Sequence, residues 1–301
     1  MIHELFPIVE WSNRLRVQHA IDRMLERITV VGPFDLVSLE LSRIQLASVV
    51  DFGEGVPSDV FVLAKGEPPR RECTKIGGLP YRPADIPWPT SRDGNPMTFV
   101  AQFCFADSRD LVAQFPGDVL LAFARDERVL WGDLQRRHDL DSMRFEWYRL
   151  GITNLVDIDQ VPQPGWDFVN CHGVRHRTQD FRITEENELR LESYLTERYS
   201  NVFPGLTVQY LTRTIALKIG GLPAWHDRDD IRIPERFPGK LLCSLVSIIP
   251  GLGPYPWLNR EQEYDLRVFD LYAPSETLKI GGDTTILNVS IDSDGVLHWY
   301  R

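Results

Sequence analysis

The sequence has little that would tie it to a known chemistry. Its four cysteines, Cys73, Cys104, Cys171 and Cys243, lie far apart in 301 residues and form no CxxC pair. That argues for reduced thiols rather than a disulfide framework or a zinc ribbon. No apolar run approaches the roughly 20 residues that span a bilayer. The start, "MIHELFPIVEW", lacks the basic-then-apolar pattern of a secretory signal. Basic clusters are scarce too: the densest, "LQRRHD" at 134–139, sits in a chain of net charge −10. Binding to a phosphate backbone needs the opposite balance, so a nucleic-acid partner is not expected. No GxxxxGK[ST], GxGxxG or GxSxG occurs, so neither a nucleotide cradle nor a nucleophile elbow is spelled out. These absences point to an acidic cytoplasmic protein with no membrane contact, no cofactor and no catalytic signature.

Glycine and proline are what the chain uses distinctively. "TKIGGLPYRPADIPWP" (Thr74 to Pro89) has a near copy in "LKIGGLPAW" (Leu217 to Trp225), with Lys75 and Lys218 separated by 218 − 75 = 143 residues. After the first copy come "MTFVAQFCF", "PGDVLLAFARD" and "VLW"; after the second come "KLLCSLVSI", "GGDTTILNVSID" and "VLHW". One order of features used twice implies a duplicated supersecondary unit. Two permissive glycines followed by a fixed proline φ turn a chain sharply. A third "KIGG" at 279–282 also precedes a strand pattern, which fits a folding device better than a reaction loop.

Hydrophobic periodicity supplies the elements. Val17, Ile21, Met24, Leu25 and Ile28 predict a helix over 12–28, and Leu191, Tyr194, Leu195 and Arg198 predict another over Glu185–Tyr199, with Thr184 as its cap. Alternation in "DLVSLELSRIQLASVV" (35–50) predicts one long strand or two short ones. Further strands are predicted at 60–65, 97–105, 118–125, 128–133 and 143–150, and then in "LTVQYLTRTIALKI" (206–219), 240–249, 265–272, 284–291 and 296–300. In the strand at 97–105, Phe99, Ala101, Phe103 and Phe105 are expected on one face and Thr98, Val100, Gln102 and Cys104 on the other. The polar stretch 162–181 reads as irregular loop, and "DSDG" (292–295) as a tight turn.

The residues of the first copy resemble the YwqG-like family, a bacterial group of unknown function. The resemblance rests on Lys75, Gly77, Gly78, Pro80, Trp88, Pro89, Pro96, Met97, Gln102, Pro116 and Gly117. It implies a sheet-dominated α+β domain and transfers no activity. The C-terminal half departs at Thr284, Thr285 and Asn288, and Arg232-Ile233-Pro234 stands where a second Trp-Pro would fall. The expected fold is therefore β-rich α+β, a single internally duplicated pseudo-twofold domain with two peripheral helices. Residues 1–70 supply an N-terminal helix and strands, repeat 1 spans about 71–150, a helical linker about 151–205, and repeat 2 about 206–301.

Several constellations hold residue types capable of chemistry. The KIGG turns with Lys75 and Lys218 could cradle a phosphate, although neither opens a clear helix. Cys171, His172 and His176 in "CHGVRH" are ligand types that zinc accepts, without a fourth partner. His226, Asp227, Asp229 and Asp230 read as a solvated turn, and Trp88, Trp225 and Trp257 as core or as partner anchors. The reading that results is a non-enzymatic binding or accessory protein. It would present the glycine-proline turns to a small ligand or to a protein partner with a basic surface. Lys75, Trp88, Gln102, Lys218 and Trp225 are its candidate ligand contacts. The alternative is an enzyme acting on a small molecule in a cleft between the repeats.

Overall fold

The structure, a computed structural model, describes residues 36–112, 116–125, 142–163, 170–198, 208–209, 211–224, 239–246 and 286–300. The helix expected at 12–28, the strands expected at 128–133 and 265–272, the acidic 226–230 stretch and the third KIGG lie outside them, as do Trp225 and Trp257.

Ten strands form one antiparallel sheet: β1 (Gly55–Lys65), β2 (Lys75–Ile76), β3 (Thr98–Cys104), β4 (Val119–Ala124), β5 (Met143–Tyr148), β6 (Cys171–Phe181), β7 (Lys218–Gly220), β8 (Lys240–Val246), β9 (Ile286–Ile291) and β10 (Leu297–Tyr300). Their order is β10-β9-β8-β7-β1-β6-β2-β3-β4-β5. β1 and β6 pair along eleven residues at the centre. From β6 the sheet runs outward through β2, β3, β4 and β5, and from β1 through β7, β8, β9 and β10.

A pseudo-twofold axis therefore passes between β1 and β6, and the register obeys it. Lys75 faces Gln102 across β2–β3, and Lys218 faces Ser244 across β7–β8. The register slips at Phe99/Ala101 in one half and at Leu241/Cys243 in the other. The duplication thus reproduces even the β-bulge. β10, which carries Trp299, takes the place of β5, so Trp299 answers to Phe145; both pack against the shared core.

The bulge corrects the expected facing of β3. Ala101, Phe103 and Phe105 join the inner core, while Phe99 turns to the outer one beside Phe123. One extra residue reverses the alternation of everything before it. The inner core draws on both halves, with Ile76, Phe103 and Leu120 meeting Ile219, Leu242 and Val289.

Three segments differ from the sequence-based reading. Residues 36–46 form helix α1 (Leu36–Leu46), not a strand. The buried Leu39, Ser42, Arg43 and Leu46 follow helical spacing, and the apolar–polar alternation was local coincidence. Residues 171–181 form β6, not a loop. This strand carries charge where an ordinary strand carries valine, because its acids and bases meet partners on neighbouring strands. Among the described residues of 206–220 only Lys218–Gly220 is strand; 208–209 and 211–212 are helical, and the Thr212 hydroxyl donates back to the Val208 carbonyl over 2.8 Å.

Helix α2 (Glu185–Arg198) is where the periodicity placed it. The Asn187 amide donates to Thr184 Oγ1 over 3.3 Å, and Leu191 and Leu195 are buried. With α1 and Val208, Leu211 and Ile215 they form a second core. None of the described helices is long and apolar enough to cross a membrane.

Candidate functional site

The two KIGG corners are built alike. Gly77 and Gly78 have φ of 61° and 72°, Gly220 and Gly221 of 71° and 75°, a region that L side chains avoid. Each turn brings the carbonyl four residues after the lysine back over its ammonium. Lys75 Nζ donates to the Leu79 carbonyl and, over 3.1 Å, to Glu67 Oε2, whose Oε1 accepts from the Leu79 amide at 2.8 Å. Lys218 Nζ donates to the Leu222 carbonyl over 2.7 Å and to Asp180 Oδ2 over 2.6 Å, and the same Oδ2 accepts from the Leu222 amide at 2.8 Å.

Glu67 follows β1 and Asp180 ends β6, the two strands the axis exchanges. The second glycine is closely hemmed in both copies, more so in the buried second one. A Cβ at Gly78 would strike the Glu67 carboxylate, and one at Gly221 the Asp180 carboxylate and Ser58.

Burial pulls both lysines below their ordinary pKa, and the paired carboxylates oppose that shift. The side chains are 1% and 0% exposed. In the first corner the amides of Gly77, Gly78 and Leu79 donate to the Val100 carbonyl, Asn170 Oδ1 and Glu67 respectively. No N–H of that loop remains to hold an anion.

Gln102 serves the same corner. It donates to the Arg71 and Cys73 carbonyls over 2.6 and 2.8 Å and accepts from the Tyr81 amide at 2.8 Å. In the second copy Ser244 and Asn288 divide this task, and Asn288 Nδ2 donates to the Ala224 carbonyl over 2.9 Å. Trp88 is half-buried, donates to the Met97 carbonyl over 2.7 Å and stands edge-on to Phe123. Beneath it the buried Arg82 donates to the Ile86 and Pro87 carbonyls and to Glu146.

Lys75 and Gln102 thus share one corner as cross-strand partners, while Trp88 stands by Met97 and Phe123 at the other end of β3. Lys218 is at the second corner, three strand spacings away, about 14 Å. Cys171 and His172 point to opposite faces of β6. His172 and His176 share a face about 13 Å apart, with His172 Nδ1 against the Gly66 carbonyl at 3.1 Å. Among the described residues no His, Cys, Asp and Glu cluster with metal-site geometry. Burial raises the Cys104, Cys171 and Cys243 thiols, Cys171 to about 12, which makes them poor nucleophiles.

The cavity lies elsewhere, beside the second corner. About 580 Å³ is lined by Val56 and Pro57 of β1, the end of β6, Val208, Gln209, Thr212 and Arg213, Gly220–Pro223 and the start of β8. Its described charged side chains are Asp110, Arg182, Glu188, Arg213 and Lys240. Asp110 is taken by Arg177, which reaches it at 2.7 and 3.0 Å and also holds the fully buried Asp59.

Gln209 and Arg213 carry no signal in the sequence, because their four-residue spacing has meaning only on a helix and 206–219 has the pattern of a strand. Asp180 and Glu67 carried no local signal, since their partners are distant in sequence.

A family model described as a domain of unknown function (DUF1963) matches residues 74–296, which include both KIGG turns and the described cavity lining apart from Val56 and Pro57. No curated protein matches the chain.

Proposed function

We propose, for a chain that belongs to the DUF1963 family, that it is a non-enzymatic binding protein holding a small molecule beside its second glycine corner. The YwqG-like branch, with a bacterial cytoplasmic setting, is the subgroup its first corner resembles. The observation carrying this reading is the 580 Å³ cavity of mixed apolar and polar lining, a size and character typical of ligand sites.

Binding is favoured over catalysis by the lining itself. The described lining has no histidine, cysteine or serine, and its one hydroxyl, Thr212, is engaged by the Val208 carbonyl. A nucleophile paired with a base is what acyl-transfer chemistry requires. The corner lysines, buried and paired, brace the walls.

The test is differential scanning fluorimetry of the full chain against neutral and charged small amphipathic molecules. Leu111→Trp, which fills the cavity from the rim, serves as the blocked control. The reading predicts thermal shifts that the blocked variant loses, with ligand recovered unchanged. Conversion of the ligand, or shifts indifferent to Leu111→Trp, would overturn it.

A further inference from the structure

We propose that the cavity takes a small organic acid: one carboxylate, a hydrogen-bond donor beside it, and an apolar body. This rests on the ligand-binding reading above and names the ligand's chemistry.

Two side chains carry the argument. Gln209 and Arg213 are four residues apart, and the Arg213 amide donates to the Gln209 carbonyl over 2.8 Å. They therefore project from one side of a helical turn, and both line the cavity. Gln209 is 4% exposed, yet its Oε1 has no hydrogen-bond partner. Buried amide oxygens are almost always satisfied, so an unpaired one on a residue that lines the cavity marks a place for an incoming N–H or O–H once the side-chain amide turns toward it.

The guanidinium of Arg213 is the second vacancy in the hydrogen bonding. Half-buried, it makes no side-chain hydrogen bond or ion pair with the described residues. Burial lowers its pKa more than Glu188 and Asp180 restore it, and Arg182 adds to the lowering. Its positive charge is under-compensated.

Summed over the described lining, Arg182, Arg213 and Lys240 stand against Glu188, because Asp110 is already neutralised by Arg177. The described lining is therefore cationic on balance, in a chain of net charge −10. A planar guanidinium accepts a carboxylate through two parallel hydrogen bonds. Val56, Leu111, Ile183 and Leu222 wall the remaining space and suit an apolar body.

The test is isothermal titration calorimetry with N-acetyl-L-phenylalanine and 3-hydroxydecanoate, against their methyl esters and inorganic phosphate. The acids are expected to bind at least about tenfold tighter than the esters. Arg213→Gln should weaken them by about 10- to 100-fold, Arg213→Lys by less, and Gln209→Leu by about tenfold. Far-ultraviolet circular dichroism checks that each variant is folded. Equal binding of acid and ester, phosphate binding as tightly as the acids, unchanged affinity in Arg213→Gln, or no saturable binding by either acid overturns the proposal. Neutral compounds that still show binding sensitive to Leu111→Trp would leave the cavity's ligand role standing. Their failure as well would remove both.

Discussion

Lys218 Nζ lies 2.6 Å from Asp180 Oδ2, and neither side chain reaches solvent. Their counterparts across the pseudo-twofold axis, Lys75 and Glu67, repeat the contact at 3.1 Å, but with Glu67 39% exposed. One device is used twice, dry on one side and wet on the other.

The difference sets the first prediction. Asp180→Ala strands a buried ammonium and two donors, and should cost about 3–5 kcal/mol. Glu67→Ala leaves water access to its ammonium and should cost about 1 kcal/mol. Urea unfolding of the two variants should separate them clearly, with Asp180→Ala the less stable.

Glycine replacement gives the second. Gly221→Ala places a methyl group against Asp180 and Ser58 at a φ of 75°, whereas Gly94→Ala, at 79°, meets open space. Backbone strain alone should cost the latter about 1 kcal/mol. Gly221→Ala adds the collision and loosens the ion pair. Its melting temperature should fall well below that of Gly94→Ala.

The thiols give the third. Cys171 is raised from 9.0 to about 12, and Cys243 well above 9.0, by burial. Above pH 9 the unfolded chain releases these protons while the folded one keeps them. The stability they contribute is complete below that pH and declines as pH climbs toward the folded values. Urea midpoints should drop between about pH 8 and about pH 10, and less steeply in Cys171→Ala/Cys243→Ala. In the native protein a thiol reagent should label the half-buried Cys73 and Cys104 well before the other two.

Much of this architecture was legible, and the reason is physical. The Gly-Gly-Pro corners and the β3, β4, β8 and β9 runs are local signals: permissive φ, fixed φ and continuous apolar stretches buried on both faces. What stayed hidden was non-local. β6 looks like a loop because Arg175, Arg177 and Asp180 satisfy their charges on β1 and β7. α1 reads as alternating because Arg43, a core residue here, is stacked on Phe181 and bonded to the Leu211 carbonyl. The cavity was out of reach for the same reason. Its walls come from seven separated stretches, and Gln209 and Arg213 align only through the helical bond from the Arg213 amide to the Gln209 carbonyl.

The KIGG lysines brace the fold. A double-mutant cycle on Lys218→Met and Asp180→Leu, read by urea denaturation, tests this most directly. Each single change should be strongly destabilising and the double variant should recover part of the loss, with a coupling of about 1–3 kcal/mol. Strictly additive losses, or a Lys218→Met variant as stable as the parent, would contradict it.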